Sequence, residues 1–482
     1  MFHISDLRQF LSCPRILWLN QSGDKQTFNP FIQMVHSMNQ DLIIKTQAKD
    51  YFIGKQGMSM EDSLDALSKY EWCFNLRFEV HGLRIKVAGL HRVEDGFELY
   101  FNTMSVLSRV EDASYFSNHF WVLKQIGIPV TKIYSMYFNK EYIRNGELNV
   151  KDCYVLTSDF IKPSGHVQGD ILSIVSKRVR DLEPNLIEMN RISKLEEYPI
   201  TLSECPNPIK CEKFGTCFKG LDLGENSIYH FSNPMKKEWL KQGITKIQDI
   251  PLDDLVLSKA QYAQIMASRM DGRFVDQRAL SIWIDTVKQP IMSFIDFEWD
   301  TYGIPPFDQM RPFDVVPFQY SIHFIQDGLV HHKEFLGQGD CREAFIVSLL
   351  EHIPSEGPIL AYNAFGAEAI RLKQLAFQFP QYEEALLKLI DRFVDLAQVF
   401  IDGLVYDERM KGAYSLKRII EAIHPELSYE NLAISHGMDA VYHYRNLVDD
   451  EEQDEVKAAL LSYCRMDTLA MVKVFQWLES LV

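Results

Sequence analysis

The chain has 482 residues, 46% hydrophobic and 24% charged, which excludes a largely disordered, collagen-like or low-complexity protein and leaves ample material for a buried core. Its 50 Lys+Arg against 66 Asp+Glu give a net charge of -16, which speaks against a basic coat protein that grips nucleic acid by bulk phosphate neutralisation. At roughly 150 residues per domain, the length corresponds to about three units.

Residues 1–75 read as helical, beginning with Leu7, Phe10, Leu11 and Ile16 at helix-like spacing around Cys13. From Cys73 to about Phe160 the pattern shortens to strand-length runs (LRFEV, LRIKVAGL, GFELYFN, KIYSMYF) with a helix predicted over Tyr115 to Ile126, so this part is expected to be an α+β core. Residues 165–200 return to helix and lead into the loop CPNPIKCEKFGTC, and the first domain is expected to end near residue 231. Residues 232–288 read as a helical connector with little core of its own. From residue 289 onward, strands (IMSFIDF, PFQYSIHFI, GPILAYN) alternate with helices (REAFIVSLLEHI, AEAIRLKQLAF, SLKRIIEAI, and Asp454 to Leu481), which predicts an α/β sandwich. The expected fold class is therefore α/β, with domains at 1–231 and 289–482 joined by 232–288. The acidic run DDEEQDE, Asp449 to Glu455, reads as a solvated helix start.

In IDFEW, alternation puts Asp296 and Glu298 on one face of an apolar strand, about 7 Å apart along it. Carboxylates in such surroundings are costly to desolvate unless a cation or a proton compensates them. In SYCRMD, Tyr463 and Asp467 stand at i and i+4 of an amphipathic helix and so share a face. Between these motifs, Asn363 and Glu368 fall where the strand GPILAYN passes into the next helix.

In this order, D-x-E, N-x-x-x-x-acid and Y-x-x-x-D resemble the DnaQ-like exonucleases of the DEDDy type, over about the last 190 residues. The resemblance implies an RNase H-like fold and two Mg²⁺ or Mn²⁺ ions held by Asp296, Glu298, Glu368 and Asp467, with Tyr463 orienting the attacking water. Glu368 stands where that family more often has Asp. Asn363, Lys411 and Lys417, with Arg418 near Ser415, are the candidates for holding substrate phosphate. The strings RPFDVVPFQYSIHF, YNAFGAEAIRLKQLA, DRFVDL, KGAYSLKRIIEAIHPELSYENLAI and LLSYCRMDTLAMV resemble an uncharacterised bacterial family in which a RecB-like domain precedes a DnaQ-like one.

No stretch reaches the roughly 18 apolar residues of a membrane span, and the amino terminus lacks a signal-peptide layout, so the expected location is the cytoplasm, without a membrane partner. Thiols stay reduced there, which makes the eight cysteines ligands or buried small hydrophobes. Cys205, Cys211 and Cys217 form C-x5-C-x5-C in a polar, Pro-containing loop, with Cys13 far upstream, a set that suits metal binding better than packing and would serve zinc as well as iron. An early CPR joined to a late cysteine triplet resembles the iron-sulfur staple of RecB-family nucleases, which implies one 4Fe-4S cluster on Cys13, Cys205, Cys211 and Cys217, zinc being the alternative; Cys73, Cys153, Cys341 and Cys464 are expected in the core. A RecB-type site would need Asp, then Glu-x-Lys, then Gln, and these positions hold Ala88, Phe101, Thr103 and His119. The first domain is thus expected to keep the fold and the cluster without cleaving, and to serve nucleic acid through Lys177 to Arg180, Lys210, Lys213 and Lys219, or to hold protein partners. The function expected of the whole is a 3′ to 5′ exonuclease acting on DNA or RNA with a 3′ end, its direction implied by the resemblance alone; a noncatalytic end-binding protein is the alternative.

Overall fold

The computed structural model describes every residue except 21–29, 206–210, 253–254, 428, 430–431, 435 and 448–452, together with the side chains of 30–33 and 36. Lys210 and the first four residues of the acidic run therefore lie outside the described residues. The protein is mixed α/β and forms two compact units, residues 1–206 with 302–314, and residues 207–301 with 315–482. No helix among the described residues is long and apolar enough to cross a membrane.

This division falls elsewhere than the expected boundary near 231 and separate connector at 232–288. Residues 207–288 pack into the second unit because they carry more core than their composition suggested. Ile228, Phe231, Trp239, Ile247, Ile250 and Ile265 form an apolar cluster of their own. Ala263, Ala267, Leu280 and Ile284 join the same core as Met292 and Phe294. The Gln264 amide donates to the carbonyl of His230 at 3.1 Å. A Cβ at Gly412, which has φ +73°, would collide with that same carbonyl, so the turn there needs glycine.

In the first unit a seven-stranded sheet runs β2-β3-β4-β5-β6-β7, from Tyr51–Ile53 (β2) through Trp72–Val80 (β3), Leu83–Val93 (β4), Gly96–Asn102 (β5) and Val130–Phe138 (β6) to Tyr154–Thr157 (β7); the two-residue Phe2–His3 (β1) pairs with β4. Residues 1–75 are mostly helical as expected, but β1 and β2 lie among those helices, each too short to show an alternating pattern. Alternation is clear in β3 and β4, where Leu76, Phe78, Leu83, Ile85 and Val87 are buried with Phe116, Trp121 and Val122 of the Ala113–Gln125 helix, leaving Arg77, Glu79, Arg84 and Lys86 on the other face. A two-residue turn at His81 and Gly82, both with φ > 0, joins the two strands. A small hairpin, Asp159–Ile161 (β8) with Val167–Asp170 (β9), follows the sheet. Residues 302–314 belong here: Arg144 donates to the carbonyls of Pro305 and Pro306 at 2.9 and 2.7 Å, and Phe313 meets the ring of Phe138 edge-on.

The second unit pairs Arg273–Val275 (β10) with the later Val405–Asp407 (β16) and carries a five-stranded sheet. Met292–Thr301 (β11), Val315–Gln326 (β12) and Leu329–Leu336 (β13) form an antiparallel meander, and Ile359–Ala361 (β14) and Phe393–Asp395 (β15) add on in parallel, giving the order β13-β12-β11-β14-β15. The strand carrying IDFEW is thus central. The last helix, Asp454–Glu479, buries Leu460, Tyr463, Cys464, Asp467, Met471 and Phe475 along one stripe. It is fixed to the sheet by the Gln319 amide on the carbonyl of Leu460 (2.7 Å) and by Thr468, whose hydroxyl meets Ser321 Oγ and His323 Nδ1, each at 2.7 Å.

Candidate functional site

Asp296 and Glu298 occupy alternate positions of β11 and face the same way, as expected. Immediately beyond Glu298 the β11–β12 pairing slips by a bulge at Trp299 opposite Pro317. Such bulges re-aim the side chains next to them, and a proline can sit inside a strand at one. Asp467 comes from the last helix to meet this pair: one carboxylate oxygen from each of Asp296, Glu298 and Asp467 lies within 4.8 Å of the others. Glu368 opens the Glu368–Gln378 helix just after β14, where it is 2% exposed, and its charge is felt at both Asp296 and Glu298. Its Oε2 is buried without a hydrogen-bond partner among the described residues.

The electrostatics follow from burial and like charge. Burial first, and then Asp467, Glu298 and Glu368, push the Asp296 carboxyl well above its usual range. Burial, followed by Asp467, raises Glu298 to about 8, and burial raises Glu368 to about 8. Asp467 is raised to about 6, also by burial, with the Tyr429 hydrogen bond and Lys417 opposing the rise. A site that holds carboxylates so reluctantly as anions, and leaves one oxygen without a donor, is chemically suited to a cation. The donors are all hard oxygens, a set that fits Mg²⁺ or Mn²⁺.

Tyr463 sits one turn before Asp467, and Lys417 donates from Nζ to its phenolic oxygen at 3.1 Å. The ammonium also lies 4.7 Å from the centre of the Tyr463 ring and 4.8 Å from that of Tyr429. Lys417 is held there by the Leu416–Ile423 helix, whose amino end is capped by Ser415 Oγ accepting from the Arg418 amide. Burial raises the Tyr463 phenol far above its usual range, so it stays a hydrogen-bond donor.

The remaining expected residues are placed differently. Asn363 is exposed in a left-handed conformation (φ +66°), and its amide donates to Asp395 Oδ1 at 2.9 Å. Lys411 closes the Glu408–Met410 turn, also left-handed, and its charge is felt at His230. Sequence reasoning missed Tyr429, Asp395 and Cys464. Tyr429 donates its hydroxyl hydrogen to Asp467 Oδ1 at 2.7 Å. Asp395 ends β15 and accepts from the amides of Asn363 and Ala397, tying the β14 turn that leads to Glu368. Cys464, assigned only to the core, has its sulfur 3.5 Å from Asp296 Oδ2; burial and the surrounding acids keep it a thiol.

In the first unit, Phe101 is buried and stacked on Phe116 (3.9 Å), Thr103 shares a hydrogen bond with Ser135 (2.7 Å), and burial lowers the enclosed His119 to about 4. These positions, with Ala88, supply no carboxylate. Cys13 and Cys205 belong to the first unit and Cys211 and Cys217 to the second; all four are half-buried, whereas Cys73, Cys153, Cys341 and Cys464 are buried.

Comparison with known proteins adds little that names a function. Residues 293–415 match a family model described as a domain of unknown function, DUF2779. An uncharacterised protein of Mycoplasma genitalium is 23% identical over 237 residues, 44% of this chain and 35% of the relative, so the chain spans about a third of the length of that curated protein. A family B DNA polymerase from the archaeon Pyrobaculum calidifontis is similar at 16% identity and a TM-score of 0.25, over 39% of this chain and 24% of the polymerase, a likeness too low to bear on activity.

Proposed function

We propose that the second unit hydrolyses phosphodiester bonds of DNA or RNA, as a metal-dependent exonuclease. The observation that carries this reading is the convergence of Asp296, Glu298 and Asp467, from a central strand and the last helix, to within 4.8 Å, with Glu368 felt from the start of the helix after β14, its Oε2 without a partner among the described residues. The strand order β13-β12-β11-β14-β15 supports an RNase H-like assignment. The 3′ to 5′ direction rests on the resemblance to DEDDy exonucleases.

Asp296, Glu298, Glu368 and Asp467 would hold two Mg²⁺ or Mn²⁺ ions, which supply an activated water at neutral pH and a counter-charge for the departing oxygen. The chain's own part is positional. Lys417 occupies a lone pair of the Tyr463 oxygen, which leaves the phenolic hydrogen to orient a water or a phosphate oxygen. Its ammonium, close to the acids, also offers positive charge to an incoming phosphate. Tyr429 fixes the rotation of the Asp467 carboxylate. For the cysteines we propose, from the resemblance to the iron-sulfur staple of RecB-family nucleases, one 4Fe-4S cluster on Cys13, Cys205, Cys211 and Cys217; visible absorption of anaerobically purified protein separates it from colourless zinc.

The test is incubation of end-labelled single strands of DNA and RNA with Mg²⁺ or Mn²⁺, comparing wild type with Asp296→Ala. Stepwise shortening from the 3′ end, lost in the variant, is expected. Every substrate intact under both metals would overturn the assignment.

A further inference from the structure

The first unit carries a second concentration of charge, of opposite sign. The β3–β4 register sets Arg77 directly opposite Lys86 and Glu79 opposite Arg84, and β1 sets His3 beside Arg84. Arg77, Arg84 and Lys86 therefore share one face of the sheet, the face away from the apolar core. They line a cavity of about 770 Å³ together with Asn39, Gln56 and Asn75. An adjoining cavity of about 720 Å³ shares Arg84 and Lys86 and adds Arg8, Tyr115 and His119.

This charge is poorly compensated. Glu79 approaches Arg84 only to 3.8 Å. Arg77 spends its guanidinium on the backbone carbonyls of Lys55 and Asn75, and among the described residues no carboxylate pairs with it or with Lys86. Like charges facing across a strand pair destabilise a sheet, so their placement here calls for an anion. Desolvation, then the neighbouring Arg77, holds the Lys86 ammonium below its ordinary range, as expected for a cation without a counter-charge.

A second, independent observation concerns Asn75. It adopts φ +57°, lines the cavity, and its Oδ1 is buried with no donor among the described residues. An acceptor left in this state asks for a ligand that brings a donor as well as negative charge. Asn39 and Gln56 add amide groups of the kind that read the edges of a heterocycle. The volume suits a ligand of nucleotide size, since small-molecule sites run from about 300 to 1,000 Å³.

We propose that this cleft of the first unit binds a phosphate-bearing nucleotide unit, with Arg77, Arg84 and Lys86 on the phosphate and Asn75 accepting from the base or sugar. A free nucleotide and a nucleotide within a strand present the same chemistry here, and the site stands independently of cleavage by the second unit.

The test is calorimetric titration of the full chain in EDTA, which prevents cleavage, with adenosine 5′-monophosphate and with a 5′-phosphorylated oligothymidylate of about ten nucleotides. Wild type is expected to bind at least one probe, with Lys86→Gln and Arg77→Gln each weakening it about tenfold. Asn75→Ala, which keeps the cations, should weaken the nucleotide while leaving competition by inorganic phosphate unaltered. Tighter binding of the mononucleotide marks a free nucleotide as the source, and tighter binding of the decamer marks a strand; either supports the site. The proposal is overturned if neither probe binds, or if folded Lys86→Gln, checked by an unchanged melting temperature, binds as wild type does. It is equally overturned if Asp296→Ala is the substitution that abolishes binding.

Discussion

The Tyr429 hydroxyl and the Asp467 carboxylate are joined by a 2.7 Å hydrogen bond, both groups being buried beside Asp296 and Glu298. Loss of that donor leaves Asp467 free to rotate and raises its affinity for a proton, because the bond opposes the effect of burial. Tyr429→Phe is expected to weaken Mn²⁺ binding and to slow cleavage by about tenfold while the protein stays folded. Manganese titration with single-turnover kinetics checks this, and an unchanged affinity removes Tyr429 from the positioning of the site.

That contact shows what the sequence could and could not disclose. Asp296 and Glu298 were legible because strand alternation fixes their common face, and Tyr463 and Asp467 because helical spacing does the same. Tyr429 reaches Asp467 across 38 residues with no periodic signal, and Asp395 acts through the amides of Asn363 and Ala397, which no side-chain motif reports. Lys411 and Lys417 looked equivalent in the sequence, and the fold separates them: Lys417 turns toward Tyr463 from its helix, whereas Lys411 closes the Glu408–Met410 turn with a left-handed backbone. The packing of residues 207–288 was not legible for a similar reason, because Phe231, Trp239 and Ile265 find partners that only the folded chain brings together.

Stability should fall as pH rises while the site holds no cation. Asp467, Glu298 and Glu368 have folded-state values near 6, 8 and 8, above the usual 3.8 and 4.5, so the folded protein binds more protons than the unfolded chain between about pH 4 and 8. The penalty is absent below pH 4, grows through that window and is complete above pH 8. A divalent cation supplies the missing charge, so added Mg²⁺ or Mn²⁺ should raise the melting temperature more at pH 8 than at pH 5.5. Equal metal responses at the two pH values would contradict this account.

Removing one acid separates stability from activity. Asp296→Asn keeps the volume and relieves repulsion with Glu298, Glu368 and Asp467. In EDTA at pH 8 the variant is expected to melt about 2–4 °C higher than wild type, the change that roughly 1 kcal/mol makes in a domain of this size. Cleavage should fall by at least about a hundredfold, and the metal-induced rise in melting temperature should shrink with it. A variant that melts lower than wild type in EDTA would mean that Asp296 is held by stabilising contacts and not strained by its neighbours.

The end of the site strand is secured by a buried charge pair. Arg445, at the end of the Gly437–Arg445 helix, makes a forked contact with Asp300, Nε to Oδ2 and an Nη nitrogen to Oδ1 at 2.7 Å each, with Asp300 1% exposed. The same helix stacks Tyr444 on Phe318 of β12 at 3.9 Å. Truncation of the arginine leaves a buried carboxylate uncompensated, so Arg445→Met should cost about 3 kcal/mol in urea unfolding. Asp300 lies just past the bulge that aims Glu298, and the same variant should therefore lose affinity for Mn²⁺ although it touches none of the four acids. Pairing it with Asp300→Leu removes the orphan charge and should restore most of the stability. If the double variant recovers stability without metal affinity, the ion pair serves to hold the strand's geometry; if it recovers neither, the helix is held mainly by this pair and the Tyr444 stack contributes little.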